Sequence, residues 1–190
     1  MASASVQPKT FAEFLLWEQS QERRNEFVDG VAVMMAGGTR AHDRIQRNLL
    51  VRATERLQGS GCEPLGPDVI VETAAGTGRY PDMTIDCGPY DGNALTAAAP
   101  TAVFEIWSES TRKPDLLIKL RDYDATISIR HYILIAQTEY MVFVYSRAEG
   151  GGISLRPSEL RRPEDAVELP DLGLVLTLAE IYQGLGLKGA

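Results

Sequence analysis

At 190 residues, with 44% hydrophobic and 24% charged residues, the chain is sized for a single domain, 1–190, that buries a substantial core without staples. A net charge of −7 excludes a protein whose main business is coating nucleic acid, although a local basic surface can still guide an anionic substrate. The longest apolar stretches fall well short of the roughly 20 residues that cross a bilayer, so no membrane association is expected.

The N-terminus, Met1-Ala2-Ser3-Ala4-Ser5, has no basic region followed by an apolar one, so no secretion signal is expected. Cys62 and Cys87 lack a CxxC partner or histidines at metal-ligand spacing and read as two separate small thiols. A cytoplasmic location follows by default.

Thr10-Phe11-Ala12-Glu13 reads as a capping box opening a helix that runs to about Glu22, with Phe11, Phe14 and Leu15 at helical spacing. Glu26-Phe27-Val28, Asp29-Gly30 and the run Val31 to Met35 spell a β-hairpin, since Asp-Gly tolerates the positive φ of a tight turn. From Ala41 to Leu57 the residues Ile45, Leu49, Ala53 and Leu57 recur every four positions, one face of a second helix that Gly59 and Gly61 end.

Val69-Ile70-Val71 and Met83-Thr84-Ile85 read as short strands around a loop at 74–78, and Gly88 to Pro100 as a longer loop. A strand from Ala102 to Trp107 leads to the polar corner Ser108-Glu109-Ser110-Thr111. A third helix runs from Pro114, suited to a first turn, to about Asp124. His131 to Ala136 and Tyr140 to Tyr145 form another strand pair, Ile153 to Leu155 a weaker strand, and Thr177-Leu178-Ala179-Glu180 caps a short terminal helix. The order implies an α/β (α+β) fold, a mixed sheet with helices packed on it.

Strand alternation puts Asp82 and Thr84 on one face with Met83 and Ile85 on the other. Glu105 likewise shares a face with Val103 and Trp107. A carboxylate flanked by apolar neighbours is costly to bury unless a cation or ion pair neutralises it. Asp115, Lys119 and Tyr123 follow at i, i+4 and i+8 along one helical face. Two carboxylates on adjacent strands with one ammonium nearby would suit a hard divalent cation and an activated water. The ordinary alternatives are a solvated or Arg-paired strand-end Glu and a surface Asp–Lys pair.

The pieces Asn25-Glu26-Phe27-Val28-Asp29-Gly30, Pro81-Asp82, Glu105 to Thr111, Asp115-x-x-x-Lys119 and His131-Tyr132-Ile133-Leu134 occur in a fixed order. That order, from Phe11 to Tyr182, resembles the Uma-type family of restriction endonucleases in the PD-(D/E)xK nuclease superfamily. The resemblance implies a restriction endonuclease-like mixed central sheet flanked by helices, with an N-terminal helix and hairpin. It makes Asp82 and Glu105 ligands of Mg²⁺, with Mn²⁺ as a substitute, and Glu26 a further acidic residue of the site.

In the familiar pattern a lysine lies two residues after the glutamate, where this chain has Trp107; the family moves it to the following helix, at Lys119. Lys119 would assist the attacking water or stabilise the transition state. His42 matches a histidine of the family, and Ser108 and Tyr123 are candidates for contact with substrate or for supporting roles. The implied activity is endonucleolytic hydrolysis of DNA by a homodimer, since cutting both strands commonly needs two sites. The alternative is a nuclease fold kept as a binding or oligomerisation module with weak or no catalysis.

Overall fold

Helix α1 (Phe11–Glu18) begins where Thr10 Oγ1 accepts the Glu13 N–H at 3.2 Å, while the Glu13 carboxylate accepts the Lys9 N–H at 2.8 Å. The capping box is therefore present with its return bond shifted by one residue. In this computed structural model, which describes residues 7–35, 37–107 and 113–187, the helix stops at Glu18 rather than near Glu22. Glu18 turns its carboxylate onto the backbone and side-chain amides of Asn25, at 2.8 and 3.0 Å, and this ties the helix end to the next element.

That element is the hairpin of β1 (Asn25–Val28) and β2 (Val31–Met34). Its turn, Asp29-Gly30, has φ of 49° and 78°, the positive pair that a type I′ connection requires. Helix α2 (Arg40–Leu57) is capped by Thr39 and buries Ile45, Leu49, Ala53 and Leu57, the stripe its sequence predicts.

Three short strands follow, β3 (Glu63–Leu65), β4 (Val71–Glu72) and β5 (Gly78–Arg79), and then β6 (Met83–Asp86) and β7 (Pro100–Trp107). Helix α3 (Lys113–Ala125) connects β7 to β8 (His131–Ala136), and β9 (Val142–Ser146) returns beside it. The chain ends with β10 (Ser158–Leu160), the pair β11 (Ala166–Leu169) and β12 (Leu174–Thr177), and α4 (Leu178–Ile181), whose Thr177–Glu180 capping box closes in both directions.

The central sheet has the order β10-β9-β8-β7-β6-β3 and is mixed, with β7 and β8 parallel and the other neighbours antiparallel. A parallel pair needs a crossover, and α3 supplies it. Met83, Ile85, Phe104, Ile106, Ile133 and Ile135 face α2, the β11–β12 hairpin and α4. Val103, Tyr132 and Leu134 face α3 through Leu120 and Tyr123. The expected alternation along β6 and β7 thus holds. A second sheet, β2-β1-β5-β4, packs with α1 around Phe14, Phe27, Ile70 and Tyr80.

Several elements differ from expectation. Strand β5 lies at the end of a stretch read as loop; at Gly78 a Cβ would meet the Phe11 ring at 2.5 Å, so any larger residue would have to displace that ring. No strand covers 153–155: the Ile153 N–H is taken by Asp124 Oδ1 at 2.6 Å, Ile153 makes only an isolated bridge to Arg147, and β10 forms the sheet edge instead. The β11–β12 hairpin had no counterpart in the sequence reading.

Cys62 and Cys87 are not separate thiols but a disulfide. The register explains it. Glu63 pairs with Asp86, so one step outward Cys62 stands opposite Cys87, their Cα atoms 4.0 Å apart. The expectation of two separate thiols is thereby corrected. Among the described residues no helix is long and apolar enough to cross a membrane.

Candidate active site

Two register relations assemble the site. Met83 pairs with Phe104, so the next step toward the mouth of the sheet sets Asp82 against Glu105. Phe27 pairs with Gly78, so the next step sets Glu26 against Arg79. In an antiparallel pair, opposed residues point to the same face, so each pair of side chains meets.

Helix α3 supplies the third wall. Lys119, Asp122 and Tyr123, at i, i+3 and i+4, share its inward face. Lys119 Nζ donates to both oxygens of Glu105 at 3.0 Å and lies 3.5 Å from Glu26 Oε1. The Tyr123 hydroxyl donates to Glu105 Oε1 at 2.8 Å. Asp122 accepts from Arg79 Nε and Nη2 at 3.2 and 2.6 Å, and Arg79 Nη1 donates to Glu26 Oε2 at 2.9 Å. The Tyr80 N–H completes the hold on Glu26 at 3.3 Å.

Arg79 is 2% exposed and Asp122 1%. A guanidinium this deeply buried survives because two carboxylates surround it. It links β1, β5 and α3, and so fixes the height at which α3 presents Lys119.

Helix α2 grips Asp82 from the other side. His42 Nε2 is 3.1 Å from Asp82 Oδ1, and Gln46, one turn on, donates to the Asp82 carbonyl at 2.8 Å. The Ile106 N–H donates to Asp82 Oδ2 at 2.7 Å. Gly38 leaves room for the imidazole: a Cβ there would come within 3.1 Å of His42 Nδ1. Thr39 caps α2 and also exchanges a 3.0 Å hydrogen bond with Gln137, at the end of β8. Arg47 projects outward and pairs with Asp43 at 3.8 Å.

The electrostatics follow from burial. Glu105 is 8% exposed, and its carboxyl is pushed up to about 7, by desolvation first, against the downward pull of Lys119 and with the charges of Asp82 and Glu26 assisting. The hydrogen bond that His42 donates to Asp82 raises its imidazole above the ordinary value, with burial opposing and the charges of Asp82 and Glu105 assisting. Burial, then the Glu105 charge, holds the Tyr123 phenol well above its usual value, so it remains a donor.

Five of the expected residues besides Asp82 can be placed against it. Glu105, Lys119, Glu26 and Tyr123 form one ion-paired and hydrogen-bonded cluster, and His42 pairs with Asp82 on the neighbouring strand end, whereas Ser108, with Glu109, Ser110 and Thr111, lies outside the described residues. The described residues form no cluster of three or more His, Cys, Asp or Glu that would hold a metal ion as they stand. Arg79 and Asp122 were missed. Their signal was faint: Asp122 is one turn beyond Lys119, and Arg79 closely precedes Pro81-Asp82.

The chain matches a family described as Uma2, "Putative restriction endonuclease", over residues 11–179. It belongs to the Uma2 family. A Synechocystis protein, slr1290, described as uncharacterized, is 28% identical over 176 residues, covering 91% of this chain and 90% of its own. A crystal structure described as "a putative nuclease belonging to DUF820" from Anabaena variabilis superposes with a TM-score of 0.72. It covers 92% of this chain and 98% of its own at 18% identity, a likeness of fold. Uma2 membership and this likeness agree with the restriction endonuclease-like architecture expected from the sequence.

Proposed function

We propose that this Uma2 protein is a divalent-metal-dependent endonuclease that hydrolyses phosphodiester bonds in DNA and works as a homodimer. The observation that carries the reading is the Lys119 ammonium set on the Glu105 carboxylate, with Asp82 opposite and Glu26 beside it. These would serve as the acidic and basic groups of a phosphodiester-cleaving site, drawn from β1, β7, α3 and the residue before β6.

The donors fit a hard cation in their chemistry, since Asp82, Glu105 and Glu26 offer only carboxylate oxygens. Burial first, and then the charges of Asp82 and Glu26, pushes the Glu105 carboxyl up, and a bound cation would offset that cost of ionising it. Asp82 and Glu105 would hold Mg²⁺, or Mn²⁺ in its place, with Glu26 nearby. Bound there, the ion would supply Lewis-acid activation of water and neutralise charge at the scissile phosphate.

The protein's own groups do the positioning. Tyr123 orients the Glu105 carboxylate through its hydroxyl. His42 and the Ile106 N–H hold the two oxygens of Asp82. Arg79 holds Glu26 from behind, so Lys119 is left as the cation that faces the substrate side. Its ammonium, released from Glu105, would donate to the charge that builds on the phosphate oxygens.

The occupation of Glu105 by Lys119 and Tyr123 favours a second reading, a nuclease fold kept as a binding or oligomerisation module. Calorimetric titration with Mn²⁺ separates the two. The nuclease reading expects binding by the wild type that is lost in Asp82→Asn and in Glu105→Gln. Absence of heat with the wild type would overturn it.

A further inference from the structure

Strand β2 is one edge of the sheet β2-β1-β5-β4, and among the described residues no strand pairs with its outer side. Its sequence, Val31-Ala32-Val33-Met34, carries neither charge nor proline, the usual devices that keep an open edge from recruiting another strand. Val31, Val33 and Met34 are 55%, 48% and 58% exposed.

The hairpin fixes which backbone groups face outward. The two-residue turn makes Val28 and Val31 a hydrogen-bonded pair, and alternation does the same for Glu26 with Val33. The Met35 N–H donating to the Arg24 carbonyl at 2.9 Å verifies the phase. Val31, Val33 and Met35 therefore direct their peptide groups toward β1, and Ala32 and Met34 turn theirs outward.

We propose that β2 pairs antiparallel with β2 of a second copy of this chain, about a two-fold axis through Val33, joining the two sheets into one of eight strands. Outward groups must meet outward groups, and the register that uses both sets Ala32 against the partner's Met34, with the reverse pair following by symmetry. Val33 then meets its own copy as a non-hydrogen-bonded pair, the close kind. A second copy is the fitting occupant because the edge is apolar and complements itself, offering no charge for an unlike partner to read.

The placement has a consequence for the site. Val33 pairs with Glu26, so both candidate sites come to the same face of the joined sheet. The two β1 strands would lie three strand spacings apart, about 14 Å. The interface rests on the homodimer in the proposed function and gives it a surface; assembly is measured without metal or DNA, so its failure is distinct from a failure of metal-dependent cleavage.

The test is sedimentation of the full chain over a wide concentration range, with cysteine cross-linking. The wild type is expected to dimerise, and Val33→Lys, an exposed position that leaves the fold intact by circular dichroism, to sediment as a monomer. Val33→Cys is expected to oxidise to a covalent dimer on a non-reducing gel. Val31→Cys is not, because that register sets Val31 against the partner's Met35. A monomeric wild type, a dimer that survives Val33→Lys, or cross-linking through Val31→Cys but not Val33→Cys would each overturn the proposal.

Discussion

Lys119, on a helix, holds both carboxylate oxygens of Glu105, on the central strand, at 3.0 Å. The ammonium thus stands over the place where a cation would sit, on the strand's own carboxylate. Removing it has opposite consequences for binding and for chemistry. Lys119→Met is expected to bind Mn²⁺ at least as tightly as the wild type, because a competing positive charge is gone. It is also expected to lose about 100-fold or more of any phosphodiesterase rate. Calorimetry and cleavage assays on one preparation check both halves, and a Lys119→Met protein with weakened metal binding would contradict the arrangement.

The pH dependence of stability reads the burial of Glu105. Its folded-state carboxyl is raised from 4.5 to about 7, so between those values the folded chain keeps a proton that the unfolded chain has released. Stability from this group is therefore fully present below pH 4.5 and lost as pH rises through about 7. Relative to Glu105→Gln, the wild type is expected to lose on the order of 2 kcal/mol between pH 4.5 and 8. Urea unfolding at several pH values measures the difference, and a flat one would mean that Glu105 is solvated. Added Mg²⁺ should stabilise the wild type more at pH 8 than at pH 5.

Arg79 tests the clamp beneath the site. Arg79→Met removes the buried guanidinium that joins Glu26 and Asp122 and leaves them the longer contacts to Lys119 and Arg121, a loss expected to cost about 3 kcal/mol. Arg79→Lys should recover part of that stability but less of the metal affinity, because an ammonium cannot reproduce the forked contact with two carboxylates. Thermal melts and Mn²⁺ titrations of the two variants give the comparison.

The Cys62–Cys87 disulfide closes a loop with a sequence separation of 25. Reduction, or replacement of both residues by Ser, is expected to lower stability by about 3 kcal/mol. Urea midpoints with and without reductant check this, and thiol titration of the unreduced protein should find no free cysteine.

The site was legible where local patterns carry spatial meaning. Alternation along 102–107 placed Glu105 with Val103 and Trp107, and helical spacing placed Lys119 with Tyr123; both follow from a single element's geometry. Ordered resemblance added the partnership of Asp82, Glu26 and His42, which no local pattern could supply. Arg79 stayed hidden because β5 is two residues long and exists only through its pairing with β1 and β4. The disulfide stayed hidden for a related reason. Strand β3, Glu63-Pro64-Leu65, has a poor strand sequence tolerated at a sheet edge, and without it nothing brings Cys62 opposite Cys87.

Cleavage of supercoiled plasmid by the purified wild type, Glu105→Gln and Lys119→Met, with Mg²⁺ or Mn²⁺ and with chelator, bears most directly on the assigned chemistry. The expected result is metal-dependent nicking or linearisation by the wild type, abolished by chelator and by either substitution. Equal cleavage by all three proteins, or no metal-dependent cleavage of supercoiled, linear or single-stranded DNA by the wild type, would contradict it.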